Sequence, residues 1–168
     1  AISGANVSEF VALTDAAKHL GATTEFSATQ AANGMRFLAM AGFDTNEIIS
    51  AMPGTLALAT IGHLDLGKAA DIATNILTGF GLAADQTNRV VDVMAATITN
   101  SNTDIIQMGE AMKFVAPVAG MLGISVEETA AAIGTLANVG LKASIAGTGL
   151  RRAMSILAQM SGETRRKL

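Results

Sequence analysis

Residues 122–128 read Leu-Gly-Ile-Ser-Val-Glu-Glu and carry the local signal that decides the fold. Gly123 follows a run of apolar residues with helical spacing, and glycine adopts the left-handed conformation beyond a helix end without steric cost. Ser125 suits the start of a new helix, because its hydroxyl can accept a hydrogen bond from a free backbone amide. Glu128, three residues later, completes a capping-box pattern. The heptapeptide therefore predicts that one helix ends and another begins within a few residues.

The same order of apolar residue, glycine and capping residue recurs along the chain. Residues 44–47, Asp-Thr-Asn-Glu, resemble a second capping box after Gly42. Further breaks are predicted at Pro53-Gly54 and within residues 62–65. The residues predicted to form helix junctions are Gly21, Gly42, Asp44, Pro53, Asp65, Gly81, Asp85, Gly123, Ser125 and Gly140. Between the junctions, apolar residues recur at intervals of three and four, which indicates amphipathic helices.

The composition also favours helices. The 168 residues include 32 Ala and 17 Gly but only 2 Pro, and alanine is the strongest helix former. Half of the residues are apolar and 15% are charged, which excludes wholesale disorder. We predict an all-α fold, a compact multi-helix bundle of about seven to nine short helices joined by Gly-containing turns. Residues 1–160 are expected to form a single helical domain of a longer chain, and residues 161–168 a basic end that could begin the next segment.

Residue types suited to catalysis or metal binding show no functional spacing. Cysteine is absent, and His19 and His63 lack partners at metal-ligand spacing, so a zinc site would lack its usual ligands. Residues 79–84 fit the relaxed dinucleotide fingerprint G-x-G-x-x-A, but that motif requires a preceding strand. Residues 69–78 have helical periodicity instead. We therefore expect no catalytic residue, no metal and no cofactor, and predict that the chain is not an enzyme.

Charge is distributed unevenly between the two parts of the chain. Residues 1–140 carry 13 acidic and 5 basic side chains, whereas residues 141–168 carry 1 acidic and 6 basic side chains. Contact between DNA and the basic C-terminal end stays open, since Arg151, Arg152 and residues 165–167 could meet a phosphate backbone. A solvated helix end that complements the helix dipole is the favoured interpretation, because no aromatic residue accompanies these cations for base stacking.

An ordered series of short motifs within residues 30–155 resembles the core region of phage tail tape measure proteins. The series includes residues 104–113 (DIIQMGEAMK), 115–119 (VAPVA), 122–131 (LGISVEETAA) and 136–140 (LANVG). The single positions that carry the resemblance are Pro117, Glu127, Glu128, Ala146, Gly147, Leu150 and Arg151.

This resemblance implies a structural protein of the virion, located in the lumen of a phage tail and in the host cytoplasm during assembly. Tape measure proteins set the length of the tail during assembly and are released ahead of the DNA at ejection. The implied partners are the tail tube protein, tail assembly chaperones, baseplate proteins and further copies of the chain, with membrane contact during ejection left open.

As one continuous helix, 168 residues would span roughly 250 Å. The capped breaks favour a folded module instead, so we expect most of the measuring length to lie outside these residues. Two alternatives stay open: a membrane-active helical domain that assists passage through the cell envelope, and a helical adaptor that binds a partner protein in an apolar groove.

Overall fold

A computed structural model describes the backbone of residues 6–167 and the side chains of residues 6–159. Within this range the chain forms eight α-helices, one 3-10 turn and no β-strand, so the all-α prediction is confirmed. The helices are α1 (Val7–Thr23), α2 (Ala28–Met40), α3 (Thr45–Gly62), α4 (Leu66–Phe80), α5 (Thr87–Asn100), α6 (Ile105–Met121), α7 (Val126–Asn138) and α8 (Ala143–Lys167), and the 3-10 turn is Ala84–Gln86.

The helices pack in two compact units. One unit contains the described residues up to Leu77 together with Ala83–Val91, and the other contains Thr78–Leu82 together with the residues from Asp92 onward. The largest fully buried side chains of the first unit are Met35, Leu38, Ile48, Met52, Leu58, Ile76 and Leu77, and those of the second are Met94, Ile105, Met108, Met112 and Ile133. That residues 1–160 form a single domain stays a prediction.

The junction between α2 and α3 is a Schellman turn followed by a capping box. The amide of Phe43 donates to the carbonyl of Leu38 at 3.2 Å, and the amide of Gly42 donates to the carbonyl of Ala39 at 3.0 Å. Gly42 has a φ of +96°, which an L side chain rarely adopts. Asp44 then accepts from the amide of Glu47, whose carboxylate accepts from the amide of Asp44. One helix therefore ends and the next begins within four residues, with the helix-end groups paired.

The junction between α6 and α7 repeats this arrangement in the second unit. The amide of Ile124 donates to the carbonyl of Ala119 at 2.9 Å, and Gly123 has a φ of +73°. Ser125 and Glu128 form the capping box that opens α7. The turns after α4 and α7 likewise contain a left-handed glycine, Gly81 and Gly140, respectively.

The turn after α3 uses the same hydrogen bonds without a glycine at the left-handed position. The amide of Leu64 donates to the carbonyl of Ala59 at 2.9 Å, and His63 has a φ of +50°. Asp65 accepts from the amide of Lys68 at 2.9 Å and so caps α4. A histidine thus occupies a conformation that is disfavoured for L residues by about 1–2 kcal/mol.

Removing a glycine from one of these turns and introducing a glycine into another are expected to change the free energy of unfolding in opposite directions. Gly123→Ala should lower the free energy of unfolding by about 1–2 kcal/mol, because the left-handed conformation is the only obstacle. An added Cβ at Gly123 meets no atom within 4 Å. His63→Gly should raise the free energy of unfolding by up to about 1 kcal/mol, since relief of strain outweighs the added entropy of the unfolded chain. Urea unfolding followed by circular dichroism measures both, and a shift in the same direction would contradict this explanation.

Two predicted breaks, at Gly21 and at Pro53, lie inside helices. Gly21 lies in α1, and a Cβ added there would be 2.4 Å from the backbone nitrogen of Ala28, so the glycine permits a close approach of α2. Pro53 lies in the interior of α3, where proline costs about 3 kcal/mol or more. Burial of the neighbouring Met52 and Leu56 side chains offsets this cost, at about 1.5–3 kcal/mol each.

Asp85 lies in the junction between α4 and α5, where a helix junction is predicted. It lies within the 3-10 turn Ala84–Gln86, and the residue before that turn, Ala83, provides no side-chain cap. The helices have 13 to 25 residues.

Candidate functional surfaces

The interior of the described residues contains no titratable side chain. The buried polar residues are Thr55, Thr74, Thr87 and Thr129. Each hydroxyl donates to a backbone carbonyl three or four residues earlier, at 2.6–2.9 Å. Among the described residues, no group of three His, Asp or Glu side chains could hold a metal ion. The helices in this range are also too short or too polar for any of them to cross a membrane.

The residues singled out for chemistry in the sequence are separated in the structure. His19 is exposed on α1, and His63 is exposed in the turn after α3. Gly79 lies within α4, so a helix rather than a strand precedes the G-x-G-x-x-A string. The geometry required for a pyrophosphate-binding turn is therefore not present at this string.

Three of the residues that carry the family resemblance lie in the first two turns of α8, the helix that packs against α6. Ala146 is buried, and Leu150 is half-buried. A Cβ added at Gly147 would be 2.2 Å from the carbonyl oxygen of Ala111, so α8 approaches the backbone of α6 directly. Pro117 in α6 and Arg151 in α8 are exposed instead. The resemblance therefore includes packing residues as well as surface residues.

A crevice of about 340 Å³ lies between α5 and α7 in the second unit and is lined mainly by small side chains, including Ala96, Thr97, Ala131, Gly134 and Thr135. At one end of the crevice, hydrogen bonds join Asn138 to Asn102 and Asn102 to Lys142. The Oδ1 of Asn138 accepts from the amide of Asn102 at 2.8 Å, and the Oδ1 of Asn102 accepts from the Nζ of Lys142 at 3.0 Å. Sequence reasoning missed this contact, because 36 and 40 residues separate the partners and no local pattern connects them.

Glu127 and Glu128 open α7, and Glu128 is held by Ser125. The backbone amide of Ser125 donates to Glu128 Oε2 at 2.9 Å, and the Ser125 hydroxyl donates to the same oxygen at 2.8 Å. These two hydrogen bonds lower the pKa of the Glu128 carboxyl from its ordinary value, although desolvation and the charge of Glu127 oppose the shift. The carboxylate therefore acts as a structural cap of α7 rather than as a proton donor at neutral pH.

Acid is expected to weaken this cap. Because the pKa of Glu128 is lower in the folded chain than in the unfolded chain, its stabilising effect is present above the unfolded pKa and is lost as the pH falls through the folded pKa. We expect Glu128 to titrate at a lower pH than an ordinary glutamate in an NMR titration of the side-chain carboxyl carbons.

Glu128→Gln provides the control for this titration. Glutamine can keep the capping box, as Gln30 does with Ser27 at the start of α2. This variant should lose part of the acid-dependent decrease in stability while retaining the helix start. An ordinary pKa for Glu128 would contradict the assigned role.

The described residues define an all-α protein of packed helices. The side chains in its described interior are aliphatic, methionine and threonine. Comparison with known sequences identifies the family. The profile of the family described as phage-related minor tail protein matches residues 14–168. A tape measure protein of Pneumococcus phage Dp-1 is 47% identical over 159 residues, which cover 95% of this chain and 14% of that protein. No solved structure is significantly similar to the chain.

The chain belongs to the phage-related minor tail protein family, and the predicted membership of the phage tail tape measure family is confirmed. Membership of this family supports a structural role in a phage tail. The chain spans about one seventh of the length of its Dp-1 relative.

Proposed function

We propose that these residues form a folded helical module of a tape measure protein, whose full length sets the length of the tail during assembly and which is released ahead of the DNA at ejection. One observation supports a folded module: the chain is divided into eight described helices, and six of them begin at a side-chain cap. The longest, α8, has 25 residues and is about 37 Å long. Most of the length of the ruler then comes from other parts of the parent protein.

The proposed location is the lumen of the virion tail, after assembly in the host cytoplasm. The tail tube protein, tail assembly chaperones, baseplate proteins and further copies of the chain are the proposed partners. We further propose that the module is not an enzyme, since its described interior offers no acid, base or nucleophile other than threonine hydroxyls. Residues 1–160 are proposed to act as one domain, and residues 161–168 to begin the next segment.

Small-angle X-ray scattering on the 168-residue chain, combined with circular dichroism, tests the folded module. A compact chain of this length has a radius of gyration of about 15 Å. A continuous helical rod of roughly 250 Å would have a radius of gyration of about 70 Å. Because both states are helical, circular dichroism establishes only that the chain has folded, and the scattering decides between them. A value close to that of the rod would refute the proposal.

A further inference from the structure

The first and last described helices, α1 and α8, each expose apolar side chains at helical spacing. The α1 patch consists of Val7, Phe10 and Val11, which are 84%, 59% and 51% exposed. The α8 patch consists of Ala153, Ile156 and Leu157, and the last two are 45% and 66% exposed. Residues at i, i+3 and i+4 lie on one face of a helix, so each patch is a continuous surface. Exposed apolar surfaces of this kind mark sites of association.

The α1 patch borders a groove that can receive side chains. The groove lies between α1 and α2 and has a volume of about 360 Å³. Phe10 lies at its edge, and Leu13, Ala17, Ala32 and Met35 contribute to its apolar lining. Lys18 also contributes to the lining and pairs with Asp15 at 3.8 Å. An apolar helix face would bury surface here that both partners otherwise expose to water.

The net charge of the unit that contains the groove favours a helix face flanked by basic residues. The unit that contains the groove has eight acidic and four basic side chains, with Glu9 and Asp15 on α1 itself. The α8 patch is preceded on its own helix by Arg151 and Arg152, which are exposed. Symmetric pairing of two α8 patches would hold both arginine pairs within about two helical turns, roughly 11 Å. That distance is close to the Debye length, so the repulsion would be only partly screened.

We propose that the α8 patch of one copy of the chain packs into the α1–α2 groove of a second copy. This head-to-tail contact brings the arginines toward the acidic unit instead of toward each other. It is heterologous, so an open assembly keeps one free groove at one end and one free α8 patch at the other until a ring closes. The contact specifies the self-association included in the proposed function. It requires no tail, so its failure would leave the proposed folded module untouched.

A mixing experiment with two variants of the 168-residue chain tests the contact. Phe10→Asp disables the groove and Leu157→Asp disables the α8 patch, and both positions are more than half exposed, so the fold should tolerate them. Sedimentation velocity should show that the wild-type chain associates with increasing concentration, up to about 1 mM. Each variant alone should stay monomeric. An equimolar mixture should form a 1:1 dimer, because one variant keeps its α8 patch and the other keeps its groove.

Val139→Asp is the matched control, since Val139 is 73% exposed in the turn after α7 and lies outside both patches. This variant should associate as the wild type does, and circular dichroism should show the same helix content for all four chains. A monomeric wild-type chain would overturn the proposal. So would association of Phe10→Asp alone, which would indicate α8–α8 pairing, and so would a mixture that remains monomeric.

Discussion

Replacing Gly147 with alanine is expected to lower the free energy of unfolding by about 1–3 kcal/mol. The added Cβ would be 2.2 Å from the carbonyl oxygen of Ala111 and 2.9 Å from its carbonyl carbon and Cα. These are backbone atoms, which cannot rotate away as the end of a flexible side chain can. The variant must therefore move α8 away from α6, and it loses packing along the most extensive helix–helix contact of the second unit.

Gly149→Ala is the matched control, because it adds the same methyl group to the same helix two residues later. No atom lies within 4 Å of the Cβ position at Gly149. Alanine is favoured over glycine within a helix by about 1 kcal/mol, so this variant should be neutral or more stable than the wild type. Urea unfolding followed by circular dichroism measures both variants. Equal effects of the two substitutions would show that Gly147 is not a point of close helix contact.

The helix junctions show which features of the fold can be predicted from sequence. The bonds that end α2 and α6 join residues at most five positions apart, and the caps at Asp44 and Ser125 act over three positions. All of the groups involved therefore lie within one short stretch of sequence. His63 fits the same pattern, since it stands where the other turns have glycine and is followed by an apolar residue and a capping Asp.

Features that depend on distant partners could not be predicted in this way. Gly21 and Gly147 are required because Ala28 and Ala111 approach them, and the sequence around each glycine does not indicate that approach. Pro53 stays within α3 because tertiary burial of its neighbours outweighs a local preference against helix. The same limitation applies to features formed by several helices. The groove between α1 and α2 exists only once the helices have packed, and so do the hydrogen bonds of Asn102 with Asn138 and Lys142.

Removal of these 168 residues from the parent tape measure protein is expected to shorten the phage tail far less than their number suggests. Two compact units, each at most about 40 Å long, add at most about 80 Å along the tail in any arrangement, whereas the same residues as one helix would add roughly 250 Å. Electron microscopy of negatively stained virions measures the tail length directly. The expected result is a shortening of no more than about 80 Å.

The control for this deletion is the removal of 168 residues from a continuous helical stretch elsewhere in the parent protein, which should shorten the tail by roughly 250 Å. A tandem duplication of the module provides a second measurement if the deletion prevents assembly, and it should lengthen the tail by no more than about 80 Å. The deletion of the module and the control deletion remove the same number of residues and differ only in how far those residues extend along the tail. If the deletion of the module and the control deletion shortened the tail equally, the capped junctions would have to open inside the tail, and residues 1–160 would belong to the ruler itself.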